Sequence, residues 1–190
     1  METSTNGKLF QRTLSKVFPS SIAVSALEVL LLFLLGSIAI VLHAKLKIPL
    51  GIPGRHGLEF MAIFAIARLA SKYQYAASIA AIGAGSFALI PFLGFTDPFM
   101  AIVFFIPGIL LDVLFMIFQK NANKMFIVAL ICGIAYASIP ITREIISLTL
   151  GIPYHSLMKG FFFPILTHSA FGFAGGLLGA SIIKLTNKNQ

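Results

Sequence analysis

Residues 71–95 read SKYQYAASIAAIGAGSFALIPFLGF, and small side chains recur along this stretch at helical spacing. Ala76, Ala80, Ala84 and Ala88 are four residues apart, so they stack along one face of a helix. In lipid, helix contact brings little hydrophobic gain, and small residues let two backbones approach closely. The pattern therefore predicts a membrane helix with a bare contact face.

The composition also favours a membrane environment. Of 190 residues, 58% are hydrophobic and 11% are charged, whereas soluble domains carry about 25% charged residues. The net charge of +8 comes from basic residues scattered among apolar runs, which argues against a dense nucleic-acid-binding patch. The single cysteine, Cys132, lies within an apolar run and excludes an intramolecular disulfide framework.

Six apolar stretches approach or exceed the length of about 20 residues that crosses a bilayer. The predicted fold class is an all-α integral membrane protein with six transmembrane helices in one membrane domain, residues 20–185. The predicted spans are Ser20–His43, Gly57–Ala70, Tyr75–Gly94, Phe99–Phe118, Lys124–Leu150 and Leu157–Leu185. We expect the short second span to be tilted, broken or extended by its loop. The first span lacks a cleavage signature, so we interpret it as a membrane helix rather than a signal peptide.

The distribution of basic residues predicts the orientation. With six spans, both ends lie on one side, together with the second and fourth loops. That side carries nine basic residues: Lys8, Arg12, Lys16, Arg68, Lys72, Lys120, Lys124, Lys184 and Lys188. The opposite side carries four, namely Lys45, Lys47, Arg55 and Lys159. Because cytoplasmic loops are enriched in Lys and Arg, residues 1–19 are predicted to be a cytoplasmic segment and residues 186–190 a cytoplasmic tail.

Small residues form further faces on the first and last spans. In the last span, Gly172, Gly176 and Ala180 form one row, and Gly175 and Gly179 form a second row beside it. The first span offers Ser21, Ala23, Ser25 and Ala26. Such a face either packs inside the six-helix bundle or docks another membrane subunit. We favour internal packing for the last span.

Charged and polar residues gather near the predicted outer ends of the spans. Ionisable groups in hydrocarbon are costly and mark a cavity or a partner. The loop LKIPLGIPGRHGLEF, residues 46–60, has two prolines and three glycines within nine residues, which predicts an irregular, lid-like segment. The candidate substrate-binding residues on this side are Arg55, His56, Glu59, Asp97, Arg143, Glu144, Tyr154 and His155.

Structural roles compete with ligand binding at several of these positions. Glu59 has Arg55 as a possible ion-pair partner, and Arg143 has Glu144. Asp97 precedes Pro98 and is placed to cap the fourth span. His43 and Lys47 are interpreted as interfacial residues. Glu28, Asp112 and His168 lie deeper in the predicted spans, and we interpret them as buried structural contacts.

Motifs for catalysis are absent from the sequence. It contains no H-E-x-x-H, no G-x-S-x-G and no G-x-x-x-x-G-K-[ST]. No two of the four histidines are spaced at i, i+3 or i+4, so no metal ligand is assigned. Convergence of His56, His155 and His168 in the folded chain is left open by the sequence. We therefore expect no enzymatic activity, no cofactor and no ATP-binding loop in this chain.

The chain resembles the S component, the substrate-binding membrane subunit, of energy-coupling factor (ECF) vitamin transporters. The resemblance lies in six spans within about 190 residues, a Pro- and Gly-bearing first loop, and the passages FAIARLASKYQYAASIAAIGAG, PGILLDVLF and GFFFPILTHSAFGFAGGLLGASI. It implies capture of a vitamin or related small solute in an outward-facing pocket covered by loops 1–2, 3–4 and 5–6. It also implies partners: a transmembrane coupling subunit and two ABC ATPases in a bacterial or archaeal plasma membrane.

The resemblance also implies that a small-residue face on the first span docks the coupling subunit. Here that face consists of Ser21, Ala23, Ser25 and Ala26, with Ser21 and Ser25 at the positions of the family's alanine pair. Span three offers Ala76, Ala80 and Ala84 for the same task. The mixed charges of the candidate pocket favour a polar or zwitterionic solute with an aromatic or apolar part.

Two other functions remain open from the sequence. One is a membrane-embedded enzyme acting on lipid or peptide, with His168, Asp112 and Glu28 as its polar core. The other is a membrane scaffold whose small-residue faces recruit other proteins.

Overall fold

A computed structural model of the chain describes residues 21–46, 49–121, 124–158 and 160–188, without the side chains of residues 21–24 and 155. The described residues form six α-helices and no strand. In chain order these are α1 Ser21–Lys45, α2 Gly57–Ala70, α3 Ala76–Ala88, α4 Met100–Ile117, α5 Met125–Leu150 and α6 Phe162–Lys188. Two single 3₁₀ turns, Pro91–Leu93 and His155–Leu157, lie in the connections. The predicted segment 1–19 lies outside the described residues.

Four of the helices are long and apolar enough to cross a membrane: Ser25–Lys45 within α1, and all of α4, α5 and α6. The all-helical class is confirmed, and the four long apolar helices are compatible with a membrane-embedded protein. The helices α2 and α3 have 14 and 13 residues, so they rise only about 20 Å. The hydrocarbon core is about 30 Å thick, and neither short helix spans it by length alone.

Two predicted spans are shorter in the structure than in the sequence-based prediction. Helix α3 ends at Ala88 instead of continuing to Gly94 because Ile90, which precedes Pro91, is extended at ψ 117°. Helix α6 begins at Phe162 instead of Leu157 because Gly160 adopts a φ of 87°. At its other end α6 continues to Lys188, into the predicted tail.

The six helices close into a ring. Each packs chiefly against two neighbours, in the order α1, α3, α4, α5, α6, α2 and back to α1. The buried core is rich in alanine and phenylalanine contributed by all six helices. The ring therefore places α1, α2, α4, α5 and α6 around a common interior at the end where α1 finishes and α2 begins.

The alanine face of α3 is packed inside the chain. Ala76, Ala80 and Ala84 have no exposed surface. A Cβ placed on Gly36 of α1 would overlap the backbone carbonyl of Ala80, and one placed on Gly108 of α4 would overlap the side chain of Ala81. The face that these three alanines form is thus covered within the chain, and their docking to a coupling subunit stays a prediction.

The glycine rows of α6 also serve internal packing, as favoured above. Gly172 and Gly176 face α5, where a Cβ on either would lie 2.6 Å from a Cβ of that helix. Gly175 and Gly179 face α2, and a Cβ on Gly179 would lie 2.5 Å from the carbonyl oxygen of Ala62. The backbone of α6 therefore packs closely against the backbones of both α5 and α2.

The small-residue face of α1 remains open in part. Ser25 is half-buried and Ala26 is exposed. The side chains of Ser21 and Ala23 lie outside the described residues. Beyond Ala26, α1 carries large exposed apolar side chains, among them Val29 and Leu30.

The two deep acids have local structural partners at the end of the bundle where α2 leads into α3. The Asp112 carboxylate accepts hydrogen bonds from the backbone N–H groups of Ala77 (3.2 Å) and Ser78 (2.7 Å) and from Ser78 Oγ (2.8 Å). Its Oδ1 also lies 3.3 Å from Arg68 Nε. Glu28 accepts a hydrogen bond from Ser71 Oγ at 2.7 Å. Both contacts match the structural role predicted for these acids.

Candidate functional site

Three connections meet at the other end of the bundle. Tyr154, in the α5–α6 connection, donates a hydrogen bond to Asp97 Oδ1 of the α3–α4 connection at 3.2 Å. Lys45 Nζ, at the end of α1, lies 4.5 Å from the ring centroid of Phe92. The rings of His43 and Phe95 are 5.9 Å apart. The α1–α2, α3–α4 and α5–α6 connections therefore lie together.

A cavity of about 130 Å³ lies beneath these connections. Helices α1, α4, α5 and α6 and the α1–α2 and α5–α6 connections contribute its wall. The lining residues are His43, Pro53, Gly54, His56, Phe104, Tyr136, Ile139, Arg143, Ser156 and His168.

Gly54 brings the α1–α2 connection down onto α6. It has a φ of 80°, which side-chain-bearing residues rarely adopt. A Cβ at Gly54 would lie only 2.8 Å from Cγ of His168. The Pro- and Gly-rich segment predicted as a lid is thus in direct contact with the far wall of the cavity.

Aromatic rings form the deep side of the cavity. The Phe104 ring lies 5.1 Å from that of His43 and 5.3 Å from that of Phe60. The Tyr136 ring lies 5.2 Å from that of His168 and 6.0 Å from that of Phe60. These faces suit a planar, partly apolar group.

Arg143 provides a positive charge at the opposite side. Its guanidinium carbon lies 5.6 Å from the ring centroid of Tyr154, and Nη2 lies 3.8 Å from Sδ of Met100. Its buried Nε has no hydrogen-bond partner. A half-buried guanidinium whose Nε donor is buried and unused is suited to bind a carboxylate or another polar acceptor.

Tyr154 holds the α5–α6 connection next to Arg143. Its partial burial, and the Asp97 carboxylate to which it donates, raise the pKa of Tyr154. The phenol therefore stays protonated and keeps its hydrogen bond throughout the neutral range.

His56, Glu59 and His43 form a second polar group at the cavity. Nδ1 of His56 and Oε1 of Glu59 are 2.6 Å apart, and the two side chains are only 13% and 12% exposed. The His43 and His56 rings lie 4.5 Å apart. One ligand atom from each of the three residues lies within 4.8 Å of the other two.

The structure places most of the predicted site residues at this end. His56 and Arg143 line the cavity, and Glu59, Tyr154 and Asp97 contact those two residues or each other. Arg55 is half-buried and lies close enough to His43 to interact electrostatically.

Two predicted site residues are not brought to the cavity wall by the described contacts. Glu144 is half-buried but does not line the cavity, and no ion pair joins it to Arg143 in the part of the chain that the structure describes. The side chain of His155 lies outside the described residues, although its neighbour Ser156 lines the cavity.

Eight lining residues were not predicted as site residues: His43, Pro53, Gly54, Phe104, Tyr136, Ile139, Ser156 and His168. The interfacial interpretation of His43 is corrected, because the α1–α2 connection folds back over the end of α1. A signal for two of the others was present in the sequence. Tyr136, Ile139 and Arg143 are spaced at i, i+3 and i+7, so they share one face of α5.

No protein-family model, curated protein or solved structure matches this chain. The site is therefore interpreted from its own chemistry. It combines a guanidinium, three imidazoles and a phenol with aromatic walls, a set of groups suited to binding a small polar molecule.

Proposed function

We propose that the chain is the S subunit of an ECF-type ABC importer and captures a vitamin-like solute for ATP-driven uptake. The observation that carries the proposal is the cavity beneath three irregular connections at one end of a helical ring. Irregular backbone at a membrane is tolerated where it lines a cavity or is covered by protein. The family resemblance of the sequence supports the same function.

The proposed topology has six spans with both termini in the cytoplasm. The nine-to-four distribution of basic residues supports it. Helices α2 and α3 would then cross as a short pair joined through residues 71–75, with the connections completing the thickness. The cavity opens to the outside of a bacterial or archaeal plasma membrane in this orientation.

The size and chemistry of the cavity favour a small solute with one ring. A volume of about 130 Å³ is close to the cavity of about 150 Å³ that holds one benzene molecule. The ring would lie against Phe104 and Tyr136, and Arg143 would bind an acceptor group. This agrees with the polar or zwitterionic, partly aromatic solute favoured from the sequence.

The proposed partners are a transmembrane coupling subunit and two ABC ATPases. The open part of α1, at Ser25 and Ala26, supports docking there because Ala26 is exposed among the residues that the structure describes. The α3 alanines, which are buried, give this contact no support.

The membrane-enzyme alternative has less support. Its polar core would need His168, Asp112 and Glu28 together. Asp112 and Glu28 are engaged with Arg68, Ser78 and Ser71. His168 lines the cavity, and its Nδ1 donates a 2.7 Å hydrogen bond to the Pro164 carbonyl oxygen.

Native mass spectrometry of the detergent-purified chain tests the proposal. We expect one small molecule to co-purify per chain. Arg143→Ala should weaken its binding about 10- to 100-fold, because a hydrogen bond to a charged group contributes about 1.5–3 kcal/mol. Lys184→Ala, an exposed site on α6, is the matched control and should bind as the wild type does. Absence of any bound molecule, or unchanged affinity in Arg143→Ala, would contradict the proposal.

A further inference from the structure

The geometry points to a divalent transition-metal site formed by His43, His56 and Glu59. Two imidazoles and one carboxylate are the ligands that zinc, nickel and cobalt bind readily, whereas magnesium and calcium prefer oxygen ligands alone. This inference reaches beyond solute uptake and does not depend on it. It also goes against the expectation from histidine spacing, which compared histidines only with one another.

The three ligand atoms already lie close together. Each is no more than 4.8 Å from the other two, and ligands of a tetrahedral zinc ion are about 3.4 Å apart. Small side-chain rotations therefore bring them to bonding distance. His43 comes from the last turn of α1, while His56 and Glu59 flank the start of α2. The metal would join these two helices.

Unused atoms in the cluster point to a missing partner. His43 Nδ1 and Glu59 Oε2 are both buried without a hydrogen-bond partner, and buried polar atoms are normally satisfied. Nδ1 of His56 and Oε1 of Glu59 face each other at 2.6 Å. A metal bound between them would replace this contact and be held by both atoms, since a metal ligated by an imidazole nitrogen and a carboxylate oxygen at about 2 Å from each needs only a small separation of the two.

The surrounding charges define what accompanies the metal. Arg55 and Arg143 lie close enough to interact electrostatically with His43, so a bare dication supported by Glu59 alone would be repelled. An anionic ligand at the open coordination position, facing the cavity, balances this charge. The site is thus of the open type, with three protein ligands and one exchangeable position.

Metal retention by the full chain, purified in detergent with its affinity tag removed, tests the site. After stripping with a chelator and loading with ZnCl₂, NiCl₂ or CoCl₂, the wild type should keep one ion per chain through desalting. MgCl₂ should leave none. His43→Ala and Glu59→Gln should each lower zinc affinity at least about tenfold. Cys132→Ser, which removes the only thiol of the sequence, should retain zinc like the wild type.

Thermal unfolding provides the second measurement, since a ligand that binds only the folded state raises the unfolding temperature. Zinc should stabilise the wild type, Cys132→Ser and Arg143→Ala, but not folded Glu59→Gln. Equal zinc retention in wild type and Glu59→Gln, or no retention of zinc, nickel or cobalt by the wild type, would overturn the site. Because Arg143→Ala loses solute but keeps metal, the two proposals fail separately.

Discussion

At the scale of single residues, Asp112 has the most clearly defined task. Helix α3 begins after Tyr75, which provides no side-chain cap. Instead, the Asp112 carboxylate of α4 accepts hydrogen bonds from the backbone N–H groups of Ala77 and Ser78. Its negative charge also meets the positive end of the α3 dipole and the guanidinium of Arg68. One buried acid thus joins α2, α3 and α4.

Replacing this acid by its amide should therefore be costly. Asp112→Asn removes the charge opposite Arg68 and turns an NH₂ group toward backbone donors. We expect a loss of about 3–5 kcal/mol in the free energy of unfolding, as for other broken buried pairs, measured by denaturant titration in detergent. Glu28→Gln is the control, because its amide oxygen can still accept from Ser71; it should cost about 1 kcal/mol or less. Equal effects of the two would contradict this account.

The hydrogen bond between Tyr154 and Asp97 should contribute to the free energy of unfolding, and this contribution should not change with pH over the neutral range. Tyr154→Phe keeps the ring beside Arg143 but loses the bond, which should cost about 1 kcal/mol. The raised pKa of Tyr154 means that the contribution is present below the ordinary phenol pKa of about 10 and is lost as pH rises through the folded-state pKa. The stability difference between the two proteins should thus be the same at pH 6 and pH 9. A difference that disappears by pH 8 would contradict the assignment.

At the scale of helices, close contact between α1 and α3 depends on missing side chains. Gly36 faces the carbonyl of Ala80, and Gly83 faces the carbonyl of Phe33. Glycine at these positions lets the two backbones approach closely and gain dispersion contacts, which a larger side chain would prevent.

Gly36→Ala measures this contact. The added methyl group overlaps Ala80, so the helices must separate, at a typical cost of about 1–3 kcal/mol. Alanine's better helix propensity offsets about 1 kcal/mol of that cost, and a net loss of stability in detergent unfolding should remain. Gly51→Ala is the matched control, because a Cβ there meets nothing within 4 Å and the glycine has no positive φ. Stabilisation by Gly36→Ala would show that the contact is looser than described.

The alanine pattern shows how far sequence could predict this fold. A ladder at i, i+4 identifies a bare helix face, and the face is present as predicted. It does not identify which helix covers that face, because α1, α4 and an external partner all satisfy the same pattern. At the site, Arg143 was predictable from its charge within a span. His43 was not, since its role depends on a loop that folds back over the end of α1.

At the scale of the whole molecule, the three polar connections lie at one end and the Asp112 contacts at the other. The four long helices are compatible with the membrane by themselves. Whether α2 and α3 also cross decides the location of the short connection between them. In the six-span topology this connection is cytoplasmic, while in a four-span topology the α2–α3 pair enters and leaves from the outer side.

Cysteine labelling at Gln74 distinguishes these topologies. Gln74 is exposed within the α2–α3 connection, so a cysteine there should react with a membrane-impermeant maleimide wherever water reaches it. In a Cys132→Ser background, six spans predict that Gln74→Cys reacts only after the cells are permeabilised. Met158→Cys, at a site that is 77% exposed in the α5–α6 connection, should react in intact cells, and Asn121→Cys only after permeabilisation. Labelling of Gln74→Cys in intact cells would contradict the six-span topology, because it would show that the α2–α3 connection is reached from outside the cell.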